Sequence, residues 1–271
     1  MDKTYSIRRP VIALIAGALV GTVGGLIGLG GAEFRLPVLI TIFTLYPHRA
    51  VRFNLLVSLA TLAFAAVTRL QFLPVINVST YADVVLSMTA CGIVSAWIGA
   101  GLLSRVEPSR LMAIISALLV VVAALLFAEA IYTDTSLPAL PQEPVLRVVS
   151  GVLAGLLVGA VSSLLGVAGG EFIIPILIFI FGTDIKSAGT LSLLISLPVV
   201  AVGVAKHYLT GHYRSRDVLI FLVLPMSAGS AMGAALGGLL ANAVPVDALK
   251  IVLAVVLASS AIKLRHHGQR R

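Results

Sequence analysis

Residues 17–39 read GALVGTVGGLIGLGGAEFRLPVL, and residues 155–177 read GLLVGAVSSLLGVAGGEFIIPIL. The two stretches align without a gap, 138 positions apart. The register holds through Ala50/Ala188, Leu55/Leu193, Leu56/Leu194, Ser58/Ser196 and Leu59/Leu197, so that 20 of 43 aligned residues are identical. Apolar composition alone does not produce this, because the recurring residues are unusual for lipid: Gly28, Gly31, Glu33, Phe34 and Pro37 return as Gly166, Gly169, Glu171, Phe172 and Pro175. A glycine cluster, a carboxylate and a proline interrupt a helix. The chain is therefore a duplication in which each half carries a break at membrane depth.

The surrounding sequence is 59% hydrophobic and 11% charged, with a mean hydropathy of +1.09, far from the composition of soluble domains. The apolar runs 111–131, 145–165, 190–205 and 218–240 approach or exceed the roughly 20 residues that cross a bilayer as a helix. Backbone groups in hydrocarbon must pair internally, and the short alternating segments of a barrel are missing from the sequence, so helices are implied. The expected fold is an all-α polytopic membrane protein of two inverted structural repeats. Each repeat holds a broken, short helix pair plus three full transmembrane helices, for 8 to 10 membrane segments in total. The segments are read at 11–27, 34–46, 51–70, 82–103 and 110–131, then 145–165, 172–182, 188–208, 217–240 and 247–264. Residues 1–131 form the first repeat. The polar, proline-rich 132–144 is the linker, and 145–271 is the second repeat with a basic tail.

A net charge of +8 could suggest nucleic acid, but the cations sit in short loops and in the tail 263–271, where the positive-inside rule explains them and nucleic acid is not needed. With the N-terminus inside, His48, Arg49, Arg52, Arg105, Arg110, Lys206, Arg214, Arg216 and the tail all fall inside. The linker, with Asp134 and Glu143, falls outside. Both termini are thus expected in the cytoplasm of a cell with an inner membrane, and an odd number of crossings per half turns the second copy upside down relative to the first. The parity is the same whether the second segment of each half crosses or re-enters. The basic and apolar start, with Lys3, Arg8 and Arg9, resembles a secretory signal; its removal would delete the first copy, so retention is expected. Cys91 is the single cysteine and cannot form an intrachain disulfide.

Non-helical backbone in hydrocarbon must be buried in protein or line a path. Gly30, Gly31 and Ala32, with Gly169 and Gly170, can bring backbone N–H groups close to a ligand. The helix that starts after each cluster offers its positive end, so a small anion is the expected ligand. Pro37 and Pro175 are read as lying within about the first turn of those helices. The glycines spaced by four (Gly17/Gly21/Gly25, Gly151/Gly155/Gly159, Gly229/Gly233/Gly237) are read as helix-packing contacts. Glu33 and Glu171 either couple protons, one raising the pKa of the other, or cap their helices or pair with Arg35, Arg49 or Arg52. Those arginines are also candidates for attracting an anion. Asn54 and Ser58 in the first half, and Thr190, Ser192 and Ser196 in the second, offer polar groups for an oxyanion, with the alternative that each hydroxyl bonds its own helix. Lys206 is read as snorkelling and Trp97 as packing or interface.

The duplicated pattern G-x-x-x-G-x-x-(G/S)-x-x-x-G-x-(G/A)-G-(A/G)-E-F-x-x-P-x-L, in a basic-tailed chain of this size, resembles the sulfite exporter TauE/SafE family over about 11–264. The resemblance implies an inner-membrane permease for small sulfur-containing anions such as sulfite or organosulfonates. It puts Gly28, Gly30, Gly31 and Pro37, with Gly166, Gly169, Gly170 and Pro175, at the break. The partners expected are a small anionic substrate, protons and the lipid bilayer, with a homodimer left open. No cofactor and no metal site are expected, since no two histidines have the spacing of a metal pair on one helix. Neither an enzyme motif such as H-E-x-x-H or G-x-S-x-G nor a nucleotide loop is present, so a secondary transporter leads over a membrane-embedded enzyme or a scaffold.

Overall fold

The computed structural model describes residues 8–27, 31–72, 78–131, 143–183 and 185–240, together with 251, 255, 258, 261 and 262. The described residues are helical with short turns and contain no strand. In chain order the helices are α1 (Arg8–Ile27), α2 (Ala32–Thr41), α3 (Pro47–Phe72), α4 (Ala82–Leu102), α5 (Pro108–Ile131), α6 (Pro144–Leu165), α7 (Gly170–Phe179), α8 (Ile185–Leu209), α9 (Arg216–Val218) and α10 (Leu224–Leu240). A π turn, Leu219–Val223, joins α9 to α10. Among the described residues, five stretches are long and apolar enough to cross a membrane: Pro47–Val67, Ala82–Arg105, Pro144–Leu165, Ser187–Leu209 and Arg216–Leu240. Arg9–Gly25 and Pro108–Ala124 are shorter apolar helices. The linker 132–142 and most of the segment read at 247–264 lie outside the described residues.

α2 and α7 have 10 residues each. At 1.5 Å per residue such a helix covers about 15 Å, half of the hydrocarbon thickness. Both are seated in the protein interior; Ala32, Glu33, Phe34, Arg35, Leu36, Pro37, Leu39 and Ile40 of α2 are all buried. Their starts follow from glycine chemistry. Gly31 (φ 70°) and Gly169 (φ 82°) precede the two helices in left-handed geometry, which a Cβ disfavours. The prolines differ from the sequence reading. Pro37 and Pro175 are each the sixth residue of their helix, beyond the first turn. There the missing N–H frees the carbonyl four residues back, at Glu33 and Glu171, so each break extends into the helix that follows it.

Long helices join by backbone approach. α1 lies along α10 and α4 along α6 as the two most extensive helix pairs. A Cβ on Gly17, Gly21 or Gly25 would strike the carbonyls of Met226, Ser230 or Ala234, and one on Gly229 or Gly233 would strike those of Leu14 or Ala18. Gly155 and Gly159 face Met88 and Gly92 of α4 in the same way, and Gly151 faces the Ser87 hydroxyl. Glycine here lets two helices touch through dispersion contacts, which lipid cannot replace. The outer faces carry exposed Leu19, Leu86, Val94, Trp97, Leu153 and Leu239, as expected for surfaces that meet lipid tails. Lys206 lays its ammonium over the Trp97 ring, 4.2 Å from the centroid.

The 138-residue offset maps α2 onto α7 end to end, and α3 onto α8 to within a residue. It also maps the contacts. α1 on α10 becomes α6 on α4, α3 on α10 becomes α8 on α4, and α3 on α8 maps to itself. The contacts of the first half thus recur in the second with the partners exchanged.

Candidate functional site

Arg35 lies at the centre of the first half, four residues into α2, with 1% of its surface exposed. Its Nε donates to Asn54 Oδ1 (3.2 Å) and Nη2 to Ser58 Oγ (2.8 Å). Nη1 donates to Thr61 Oγ1 (3.2 Å) and to Ser230 Oγ (3.1 Å). Asn54, Ser58 and Thr61 follow one another at four and three residues along α3, so they share one face. Ser230 comes from α10. Burying a guanidinium costs several kcal/mol unless its donors are satisfied, and here four uncharged oxygens accept from it. Glu33, two residues earlier, is fully buried as well.

Asn54 also ties the two breaks together. Its Nδ2 donates to Ala32 O (2.8 Å) beside the first glycine cluster and to Gly166 O (2.8 Å) at the second. Gly166 ends α6 with φ 68° and packs on the backbone of Val51, where a Cβ would have no room. One side chain thus fastens both interruptions next to the buried arginine.

The sequence candidates divide accordingly. Gly31, Ala32, Asn54, Ser58 and Arg35 are brought together. Gly169 and Gly170 are buried at the start of α7. Ser196, the counterpart of Ser58, is buried on α8 with no hydrogen-bond partner among the described residues. Ser192 bonds Gly189 O (3.0 Å), and Thr190 is partly buried. Gly28, Gly30 and the side chain of Glu171 lie outside the described residues. Arg49 and Arg52 are apart from Arg35, at the N-terminal end of α3. The sequence leaves each serine and threonine hydroxyl either offering itself to an oxyanion or bonding its own helix. In this state Ser58 donates to Asn54 O (2.8 Å) and Thr61 to Val57 O (2.8 Å), leaving lone pairs for the guanidinium. Thr61 and Ser230 escaped the sequence reading. Thr61 could have been found from its position one turn beyond Ser58, whereas nothing in sequence links Ser230 to Arg35.

At the end of α3 where the loop residues gather, Arg49, Arg52, Phe53, Gly211, His212, Arg214 and Ser215 line a cleft of about 440 Å³. Tyr213 donates from its hydroxyl to Arg52 O (3.0 Å), pinning the α8–α9 loop to α3. Burial raises the Tyr213 pKa, with the Arg52 charge opposing. Burial, and then the Arg52 charge, lower that of His212.

Apolar-faced helices, two half-length buried helices after glycine breaks, and a polar cluster around an arginine define a multi-pass helical membrane protein with its polar machinery enclosed. Residues 13–264 match the family described as sulfite exporter TauE/SafE, and the chain belongs to that family, one of membrane transport permeases. No curated protein and no solved structure matches the chain significantly.

Proposed function

We propose that this protein is a secondary transporter of a small sulfur oxyanion, sulfite or an organosulfonate, with Arg35 as the central anion-binding group. The observation that carries the reading is the buried arginine itself. An ionisable side chain inside a membrane domain is costly and marks a substrate or ion path by default. A guanidinium offers a fork of donors that suits an oxyanion, and an arriving anion would take the place of the Ser58, Thr61 and Ser230 oxygens. Asn54, with the Gly31–Ala32 and Gly169–Gly170 breaks, would hold the backbone that frames the site. Ser196 on α8 would supply a donor from the other half. Burial of Arg35 is what an occluded state requires.

The same reading takes the halves as inverted repeats, with both termini in the cytoplasm and 8 to 10 segments in an inner membrane. Loop charge and the exchanged contacts support it. Glu33, buried two residues from Arg35, would carry the coupling proton, with Glu171 as its counterpart. Transport without catalysis accords with the family.

Counterflow of labelled sulfite and sulfonates in proteoliposomes tests the proposal. Arg35→Gln and Arg35→Lys should each lower flux at least 100-fold while the protein still purifies as a folded species. Unchanged flux in a folded Arg35→Gln variant would overturn the role of Arg35, and absence of flux for every sulfur anion would overturn the substrate class. Glu33→Gln should remove the dependence of flux on a pH gradient; a dependence that persists would exclude Glu33 as the coupling group. A scaffold role draws on one observation, the burial of Gly31, Ala32, Gly169 and Gly170, and measurable flux decides against it.

A further inference from the structure

We infer that the cleft between the start of α3 and the α8–α9 loop is a second oxyanion site, a loading site in series with Arg35; the inference rests on the transport reading above. Three cations from two distant parts of the chain converge there: Arg49 and Arg52 from α3, and Arg214 from the loop after α8. None of the three makes an ion pair among the described residues. The ion pairs Arg110–Glu107 and Arg147–Asp83 involve none of them. Asp217, two residues past Ser215, is exposed and unpaired with them. The Nε of Arg52 is buried and has no hydrogen-bond partner among the described residues. A folded chain rarely leaves a buried donor unsatisfied, and one in a cation-lined cleft points to an acceptor that comes and goes.

The cleft is built rather than incidental. Tyr213 holds the loop against Arg52 O, and His212 and Tyr213 set their ring edges against the fully buried His207, at 5.8 and 6.4 Å between centroids. Phe53 adds an apolar wall and lies 6.0 Å from the Tyr213 ring. Ser215 contributes a hydroxyl. At about 440 Å³ the space admits a sulfur oxyanion with part of its hydration shell.

Its position explains why it would serve Arg35. Arg52 and Ser58 are six residues apart on α3, a rise of roughly 9 Å along the helix. Asn54 lies between them along the helix axis and holds Ala32 O and Gly166 O. An anion collected from solution by three arginines would be one helical turn and a half from the buried guanidinium, with the Asn54 latch in between.

The test uses the full-length protein in nanodiscs of neutral phosphatidylcholine, with histidine ring nitrogens labelled so that His212 reports on the cleft by NMR. Sulfate and ethanesulfonate are the probes, and chloride at equal ionic strength is the control. Both probes should move the His212 resonances to saturation and raise its pKa, since a neighbouring anion favours the charged imidazole. Chloride should not. The exposed pair Arg49→Gln/Arg214→Gln should weaken probe binding at least 10-fold, with unchanged thermal unfolding as the check on the fold. In proteoliposomes the same pair should raise KM by a similar factor and leave kcat within twofold.

Equal responses to chloride, no response to either probe, or a response untouched by the double substitution would each overturn the inference. So would occupation of the cleft by lipid, seen as a His212 shift on adding phosphatidylglycerol that free probes cannot displace. The two proposals fail separately. Flux with an indifferent cleft removes the loading site and keeps the transporter, whereas probe binding at His212 without flux of any anion removes the transporter and leaves an anion site.

Discussion

Replacing Asn54 by alanine should loosen the joint between the two helix breaks, and the size of the effect follows from its three hydrogen bonds. Nδ2 holds Ala32 O and Gly166 O at 2.8 Å each, and Oδ1 accepts from Arg35 Nε at 3.2 Å. Taking about 1 kcal/mol for each neutral bond and about 2 kcal/mol for the one with a charged donor, the loss is about 4 kcal/mol. Side-chain hydrogen bonds measured within membranes average about 0.6 kcal/mol, which sets a lower figure of about 2 kcal/mol for three. Alanine returns roughly 0.5 kcal/mol through its better helix propensity. The expected destabilisation is thus about 1.5–3.5 kcal/mol, a factor of roughly 10 to 400 in the unfolding equilibrium. Reversible unfolding by sodium dodecyl sulfate in mixed micelles, followed by circular dichroism, measures it. Ser116→Ala is the control, because that hydroxyl bonds only Met112 O on its own helix (2.9 Å) and should change stability by no more than about 0.5 kcal/mol. An Asn54→Ala protein as stable as the Ser116→Ala control would refute the reasoning.

Three further outcomes are expected. Gly155→Ala should destabilise by about 1–3 kcal/mol, because its Cβ meets the Met88 backbone and α4 and α6 must part; Gly101→Ala, whose Cβ would have only Lys206 Cε at 3.9 Å, should be neutral or slightly stabilising in the same unfolding assay. The fold lowers the His212 pKa, so neutral imidazole is favoured; stability should be full above the unfolded value of about 6.5 and decline as pH falls below it, and His212→Gln should flatten the thermal unfolding midpoint between about pH 7 and 5. Arg147 clasps Asp83 through Nε–Oδ2 (2.8 Å) and Nη2–Oδ1 (3.0 Å), fastening the start of α6 to the start of α4; with the Asp83 side chain 36% exposed, a double-mutant cycle should return a coupling of about 1 kcal/mol or less that shrinks with salt.

Local patterning carried much of the architecture. The apolar runs and the glycine–carboxylate–proline clusters mark where helices start and stop, so α2 and α7 were legible as short helices after breaks. The four-residue glycine spacing was legible as helix packing for the same reason, since periodicity puts those residues on one face. Asn54 and Ser58 could be paired on one face of α3 by counting. Sequence puts Pro37 and Pro175 two residues nearer the helix start than the structure does, because it does not say at which residue a glycine cluster yields to helix.

Sequence by itself determined the membrane class, the duplication, the position of the breaks and the glycine seams, because each is written in composition or in a short period. Only the tertiary structure decided which helices meet at those seams, and that Arg35 is the polar centre. Repetition gave no warning of it, since Arg35 aligns with Ile173. Its partner Ser230 is 195 residues away in sequence. Gly166 O reaches Asn54 across 112. A buried charge selects its partners by the distances that packing creates, and those distances exist only once α3 and α10 have closed around α2.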